Sequence, residues 1–420
     1  MDTGNTAFLI ICTALVLMMT PALAFFYGGL VRAKSVISMM MLSFGSMALI
    51  GAIWIIYGYA ITFSAPGNPG YVGIPGIIGI DLGHIGLEHL IEIPSGANVP
   101  PLVFAAFQAT FAIITVALIS GAIADRAKFG AWMVFAGVWA TVVYFPVASW
   151  VFNFVKDPVT GEVTSGGWLV AQLGAIDFAG GTAVEVNSGA AALALALVLG
   201  KRIGFAKGIH KPHNVPFVLL GAGLLWFGWF GFNAGSELAA DGIASIALIN
   251  TMAAGSSGIL GWLIIERIKD GKGTSVGAAS GAVAGLVAIT PSCGVLTPMW
   301  ALALGFITGI LCALAVELKF HFGFDDSLDV VGIHLVGGVI GMLWIGLVGM
   351  DVGLLATGSF LQLGKQALAV FVVLFYSFGL TFLIGWIIDK TMGFRVRNED
   401  ELAGIDNVMH GEEGYAIDGY

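Results

Sequence analysis

Charge is what this chain of 420 residues has little of: Asp, Glu, Lys and Arg make up 10% of it, while hydrophobic types make up 58%. Soluble domains average about 25% charged residues, so a soluble globular body is excluded and the chain is built for lipid. Cysteine is scarce as well. Cys12, Cys293 and Cys312 are odd in number and without paired spacing, which excludes a disulfide framework. The opening residues, MDTGNTAFLIICTALV, have no basic n-region and are read as a retained first span rather than a cleaved signal. No Walker loop, HExxH or CxxC pattern occurs, and the Gly-rich stretches lack the strand–loop–helix setting of a nucleotide site. An enzyme is therefore not expected, nor a cofactor, a metal site or a nucleic-acid partner.

Long apolar runs are abundant. A bilayer crossing by a helix needs about 20 apolar residues. Eleven such runs are read, at 6–30, 36–61, 99–122, 130–152, 180–199, 215–235, 242–265, 275–290, 298–320, 330–350 and 365–389, the eighth short and Gly-rich. The expected fold class is an all-α polytopic membrane protein. Glycine, at 61 residues, suits close packing between its helices. Of the 17 Lys and Arg, all but Lys156 and Lys365 fall in alternate connections. The positive-inside rule then puts the N-terminus outside and the C-terminus in the cytoplasm. Residues 1–392 are read as one transmembrane domain and 393–420 as a cytoplasmic tail. The outside connections include 62–98, rich in Gly and Pro, and 153–178, which carries the turn-like insertion KDPVTGEVTSGG.

Two ionisable residues stand deep inside apolar runs: Glu185 in the fifth and His334 in the tenth. A charge at a bilayer centre costs about 2.5–3.5 kcal/mol on insertion scales, so each needs a reason. Their contexts match. VEVNSGAAAL and IHLVGGVIGM each put small residues three, four and seven positions after the ionisable one, on the same helical face. The fifth and tenth runs are also the last members of two five-span halves. Because five is odd, the second half runs inverted relative to the first, and inverted repeats with a midplane site are a common transporter plan. Either a helix-packing pair or a polar pathway satisfies this pattern.

Aromatic residues gather toward the outside. Phe107 and Phe111 lie one turn apart in the third run, Trp150 and Phe152 end the fourth, and Phe232 precedes Ser236 by a turn at the end of the sixth. Aromatic faces attract cations, and a hydroxyl accepts from an N–H donor; interfacial anchoring explains such aromatics equally. Asp177 opens the fifth run as a helix cap, and Asp329 enters the tenth in the same way.

DFAGGT at 177–182, PHN at 212–214, GWFGFNAGS at 228–236, SGAVAGLVAITPSCG at 280–294 and DVVGIHLVGG at 329–338 resemble motifs of the ammonium transporter family, Amt/Mep with its Rh relatives. PALAFFYGGLVR at 21–32 and HGEEGY at 410–415 fit too, and the likeness runs through nearly the whole chain in order. The resemblance implies a plasma-membrane homotrimer with a narrow hydrophobic pore in each subunit, passing ammonia after an outer site recruits ammonium. It assigns Phe107 and Ser236 to recruitment, Phe111 and Phe232 to the pore gate, His334 to the second pore histidine and Asp177 to structural support of the site. It also implies a PII-type signalling partner at the cytoplasmic face. Two positions depart from the pattern. Glu185 stands where most members have the first pore histidine, so the proton relay would run along Glu185 and His334. The recruitment tryptophan aligns with Phe152, leaving Phe152, Trp150 or Trp168 to complete the outer aromatic wall.

Overall fold

The computed structural model describes residues 1–68, 70–156, 163–205 and 211–415; Lys207, residues 157–162 of the 153–178 connection and the last five residues fall outside these. Ten of the described helices are long and apolar enough to cross a bilayer. They are α1 Thr3–Leu30, α2 Ala33–Thr62, α3 Pro101–Ile123, α4 Phe129–Phe152, α5 Gly181–Leu199, α6 Val215–Gly235, α7 Gly242–Asp270, α9 Pro298–Phe322, α10 Val331–Val348 and α11 Leu361–Thr391. The eighth expected run is α8, Ser275–Ile289, 15 residues long. At 1.5 Å per residue it spans about 22 Å, short of a hydrocarbon core of about 30 Å. The chain continues from it as a non-helical turn in which Thr290, Ser292, Cys293 and Leu296 are fully buried. Irregular backbone at such depth is tolerated where protein rather than lipid surrounds it.

The helices begin where local chemistry satisfies their free amides. Asp2 accepts from Asn5 N at the start of α1, Asn214 from Phe217 N at α6, Asp241 from Ile243 N and Ala244 N at α7, and Thr274 from Gly277 N at α8. The corresponding helices of the two halves pack on each other: α1 lies along α6, and α5 crosses α10. Glycines make the crossing close. A Cβ added to Gly189 would strike the backbone of Leu335, and one added to Gly338 would lie 2.9 Å from Glu185 Cβ. These are the small residues one turn after Glu185 and after His334, so the matched contexts seen in the sequence are the two sides of one helix crossing.

The backbone departs from regular α geometry at both crossing points. Gly181–Val186, holding Glu185, and Val331–Leu335, holding His334, are π-helical turns. Such turns are rare and often accompany function.

At one end of the bundle, the Gly- and Pro-rich connection after α2 forms a hairpin, β1 Tyr71–Ile74 with β2 Ile78–Asp81, and β3 Phe154–Lys156 pairs with β4 Val163–Gly166. On the opposite face the tail packs against the bundle. Phe394 is fully buried, Lys128 N donates to Phe394 O (2.9 Å) and Val396 N to Arg126 O (2.9 Å). Two further helices follow, α12 Asn398–Ala403 and α13 Ile405–His410. Glu401 accepts from Ile203 N (2.6 Å) and Arg395 Nη2 (2.6 Å), and Asp406 caps the start of α2 through Ile37 N (3.0 Å) and Ser38 N (2.7 Å). Beneath α10, burial alone would raise the Asp325 carboxyl, but the hydrogen bonds and charge of Arg202, with the charge of Arg126, hold it below its ordinary range.

Candidate functional site

Sequence positions from five helices meet along one line through the bundle. Near the end that carries the hairpins, Phe107 and Phe111 of α3 are fully buried with ring centroids 4.9 Å apart. Phe111 and Phe232 of α6 stack at 4.2 Å, with 28° between their planes. Together these rings close the line. Phe152 meets Phe111 edge-on at 5.9 Å. Gly235 backs onto the Phe107 ring, where an added Cβ would come within 2.9 Å, and Ser236 follows it, half-buried, its Oγ donating to Phe232 O (2.8 Å).

Trp150 goes elsewhere. It is buried against Trp168 (6.0 Å) and Tyr376 (4.8 Å), and its Nε1 donates to Ile77 O (2.5 Å). Two residues along an α-helix turn about 200° around its axis, so Trp150 and Phe152 cannot face one site. Of Phe152, Trp150 and Trp168, Phe152 is the one that the structure brings to Phe111; Trp150 and Trp168 tie the β1–β2 hairpin to the bundle.

Asp177 has a different task. Its carboxylate accepts from Gly180 N (2.9 Å), Gly181 N (2.5 Å), Thr182 N (2.7 Å) and Thr182 Oγ1 (2.5 Å). A carboxylate offers about four acceptor positions, and all are taken. The turn that allows this passes through Gly180 at φ 109°, a left-handed conformation suited to glycine. An added Cβ at Gly180 would also lie 3.1 Å from the Phe152 ring, so the same turn seats that aromatic. Phe178 N donates to Pro291 O (3.0 Å), which fastens the turn to the buried bend after α8.

Below the stacked rings, Glu185 Oε2 lies 2.6 Å from His334 Nδ1, both side chains buried. Glu185 Oε1 has no hydrogen-bond partner among the described residues. The pair faces a cavity walled by Leu23, Ile114, Leu118, Leu225, Val283 and the underside of Phe232. Its volume is about 10 Å3, the threshold for one water-sized molecule. The cavity is small, mostly apolar in its walls, and carries one acid–imidazole pair. Among the described residues no group of three or more His, Cys, Asp or Glu is placed to hold a metal.

Comparison with known proteins gives this geometry its family. The sequence pattern of the Ammonium Transporter Family matches residues 7–415. The chain belongs to that family. It is 52% identical to an ammonium transporter of Mycobacterium tuberculosis, over 99% of this chain and 90% of that protein. Its structure is similar to a Sensor Amt Protein, with a TM-score of 0.87 at 30% identity, covering 97% of this chain and 98% of the other. Mep2 of Candida albicans gives a TM-score of 0.85 at 33% identity, covering 100% and 91%. This ammonium transporter is thus a multi-pass membrane protein of a family that moves a solute rather than transforming one.

Sequence reading passed over some residues that hold the turn beside Phe152. Thr182 completes the Asp177 turn, and Gln362 and Gln366 of α11 reach the backbone at Gly174 and Ile176. The signal was present: two amides one turn apart at the start of an apolar run.

Proposed function

We propose that this ammonium transporter carries out electrogenic uptake. Ammonium is recruited at Phe107, Phe152 and Ser236, loses its proton at the gate formed by Phe111 and Phe232, and crosses as ammonia, while the proton passes along Glu185 and His334. The observation that carries the reading is the Glu185–His334 hydrogen bond directly beneath the stacked rings, at 2.6 Å.

The physics favours this division. Taking an intact cation through a dry lumen meets a desolvation cost of several kcal/mol even after relaxation, whereas ammonia crosses apolar walls readily. Outside the gate, aromatic faces stabilise a desolvated cation by about 2 kcal/mol, and a hydroxyl acceptor favours a cation that donates hydrogen bonds over a bare one. Asp177, with its acceptors filled, shapes this site without ligating. Glu185 and His334 share one hydrogen bond, so a proton can enter at either and leave from the other.

The same reading takes eleven crossings with the N-terminus outside, 1–392 as the transport domain and 393–420 as a cytoplasmic tail. It takes the assembly as a homotrimer in the plasma membrane, with a PII-type signalling protein docking at the cytoplasmic face. The charge asymmetry of the connections supports the orientation, and the packed tail supports a structured surface for that partner.

Current recording on proteoliposomes tests the proposal. A pulse of ammonium should evoke a current that an equal pulse of potassium does not. A change of internal pH without charge movement would instead identify a passive ammonia channel.

A further inference from the structure

Gln366 is fully buried in α11, outside the pore, yet every hydrogen-bonding position of its amide is used. Its Oε1 accepts from Ile176 N (2.8 Å) and Gln362 Nε2 (3.0 Å). Its Nε2 donates to Ile176 O (2.7 Å) and Met342 O (3.3 Å). A primary amide has two donor hydrogens and an oxygen with two lone pairs, so nothing is left over. Ile176 is held at both its N–H and its C=O, as a neighbouring strand would hold it. Gln362, one turn earlier, also donates to Gly174 O (3.2 Å).

What this grip fixes is the residue before Asp177. From there the contacts run without a gap: Asp177 gathers the amides of Gly180, Gly181 and Thr182, and the turn at Gly180 seats the Phe152 ring. The third partner, Met342, lies on α10 eight residues beyond His334. One amide on the helix that belongs to neither half thus joins the entrance of α5 to α10. Plain helix packing needs no such arrangement, because an apolar side chain of the same length packs a lipid-side helix without any buried amide to satisfy.

We infer that Gln366 is a positioning residue for the outer cation site, setting the affinity for ammonium by holding Ile176 and, through it, the Asp177 turn and Phe152. The inference rests on the proposed recruitment role of that aromatic group. Gln366 touches neither substrate nor reacting atoms, so its loss should act on recruitment and spare the steps beyond the gate.

The test is Gln366→Met, of similar length and apolar, reconstituted beside wild type, with ammonium-evoked current measured against ammonium concentration. The half-saturating concentration should rise roughly ten-fold while the maximal current stays within about two-fold. An unchanged half-saturation overturns the inference, and so does a uniform fall in current at every concentration, which is what a merely structural role would give. Where Gln366→Met fails to fold, Gln366→Asn decides, since it keeps a polar amide but is one carbon too short to hold both the N–H and the C=O of Ile176. A rise of about two- to three-fold in half-saturation supports the inference and no rise overturns it. Absence of current from wild type in the same vesicles would sink the functional reading itself, and is read separately from either variant.

Discussion

Glu185 and His334 stand at equivalent places on two oppositely running helices, each four residues before the glycine where the other helix crosses, and they share a hydrogen bond of 2.6 Å. The first prediction follows from that bond. Glu185→Gln keeps the shape and removes the exchangeable acid, so ammonium-evoked current should fall at least about ten-fold. The protein should still purify as a folded assembly. Glu185→His restores an ionisable partner and should recover transport with an altered pH dependence. Unchanged current in the glutamine variant would remove Glu185 from the proton path.

The two aromatics that end α4 should separate cleanly. Phe152→Ala removes a ring beside Phe111 and should raise the half-saturating ammonium concentration roughly ten-fold, the equivalent of about 1.4 kcal/mol of cation–aromatic attraction. Trp150→Ala should leave half-saturation near that of wild type. Its cost should appear as about 3–5 kcal/mol of lost stability, read by thermal unfolding in detergent, because its ring is packed on Tyr376 and tied to Ile77.

At the helix crossing, Gly189→Ala sets a methyl against the Leu335 backbone, which cannot move aside as a flexible side chain would. A loss of about 1–3 kcal/mol is expected, along with lost transport, since the displaced helix carries His334. Gly364→Ala on α11 meets open space and is the control. Equal melting temperatures for the two variants would contradict the crossing.

Asp326, buried between α9 and α10, has its carboxyl pushed up to about 6 by burial and by the nearby charge of Asp329, with Lys319 opposing. Because the folded value is raised, the folded state is penalised as pH climbs past the unfolded value of 3.8, and the penalty is complete above about 6. Two units correspond to about 3 kcal/mol. Asp326→Asn keeps an oxygen for Val331 N, 2.7 Å away in the wild type, and has no charge to lose. It should therefore melt higher than wild type at pH 7.5, with the gap closing at pH 4. A gap of equal size at both pH values would trace the effect to packing instead.

Much of this transporter is legible in its sequence, for reasons that differ by region. The helices are visible because apolar runs of the right length leave few alternatives in lipid, and α1, α6 and α8 fall within a few residues of where the runs predict them. Glu185 and His334 are visible because an ionisable group in such a run is expensive. The choice between Phe152 and Trp150 is not, since it depends on how α4 ends and on Ile77, 73 residues earlier in the chain. Nor is the support given by Gln366, which becomes meaningful only when α11 is laid against Ile176. The hairpins escape notice because a stretch full of Gly and Pro, such as 62–98, looks like a plain connection.

The π-helical turns have a consequence for how this helix crossing can vary. Each widens one turn of its helix by a residue, and a residue corresponds to about 100° of rotation and 1.5 Å of rise. The meeting of carboxylate and imidazole is therefore a matter of residue count as much as residue type. Side chains at positions 185 and 334 can be exchanged while the two helices keep their phase. Deleting a single residue from Gly181–Val186 or Val331–Leu335 would instead swing everything on one side of the turn away from its partner, with hardly a change in composition. Substitution can tune this crossing. Length sets whether there is one.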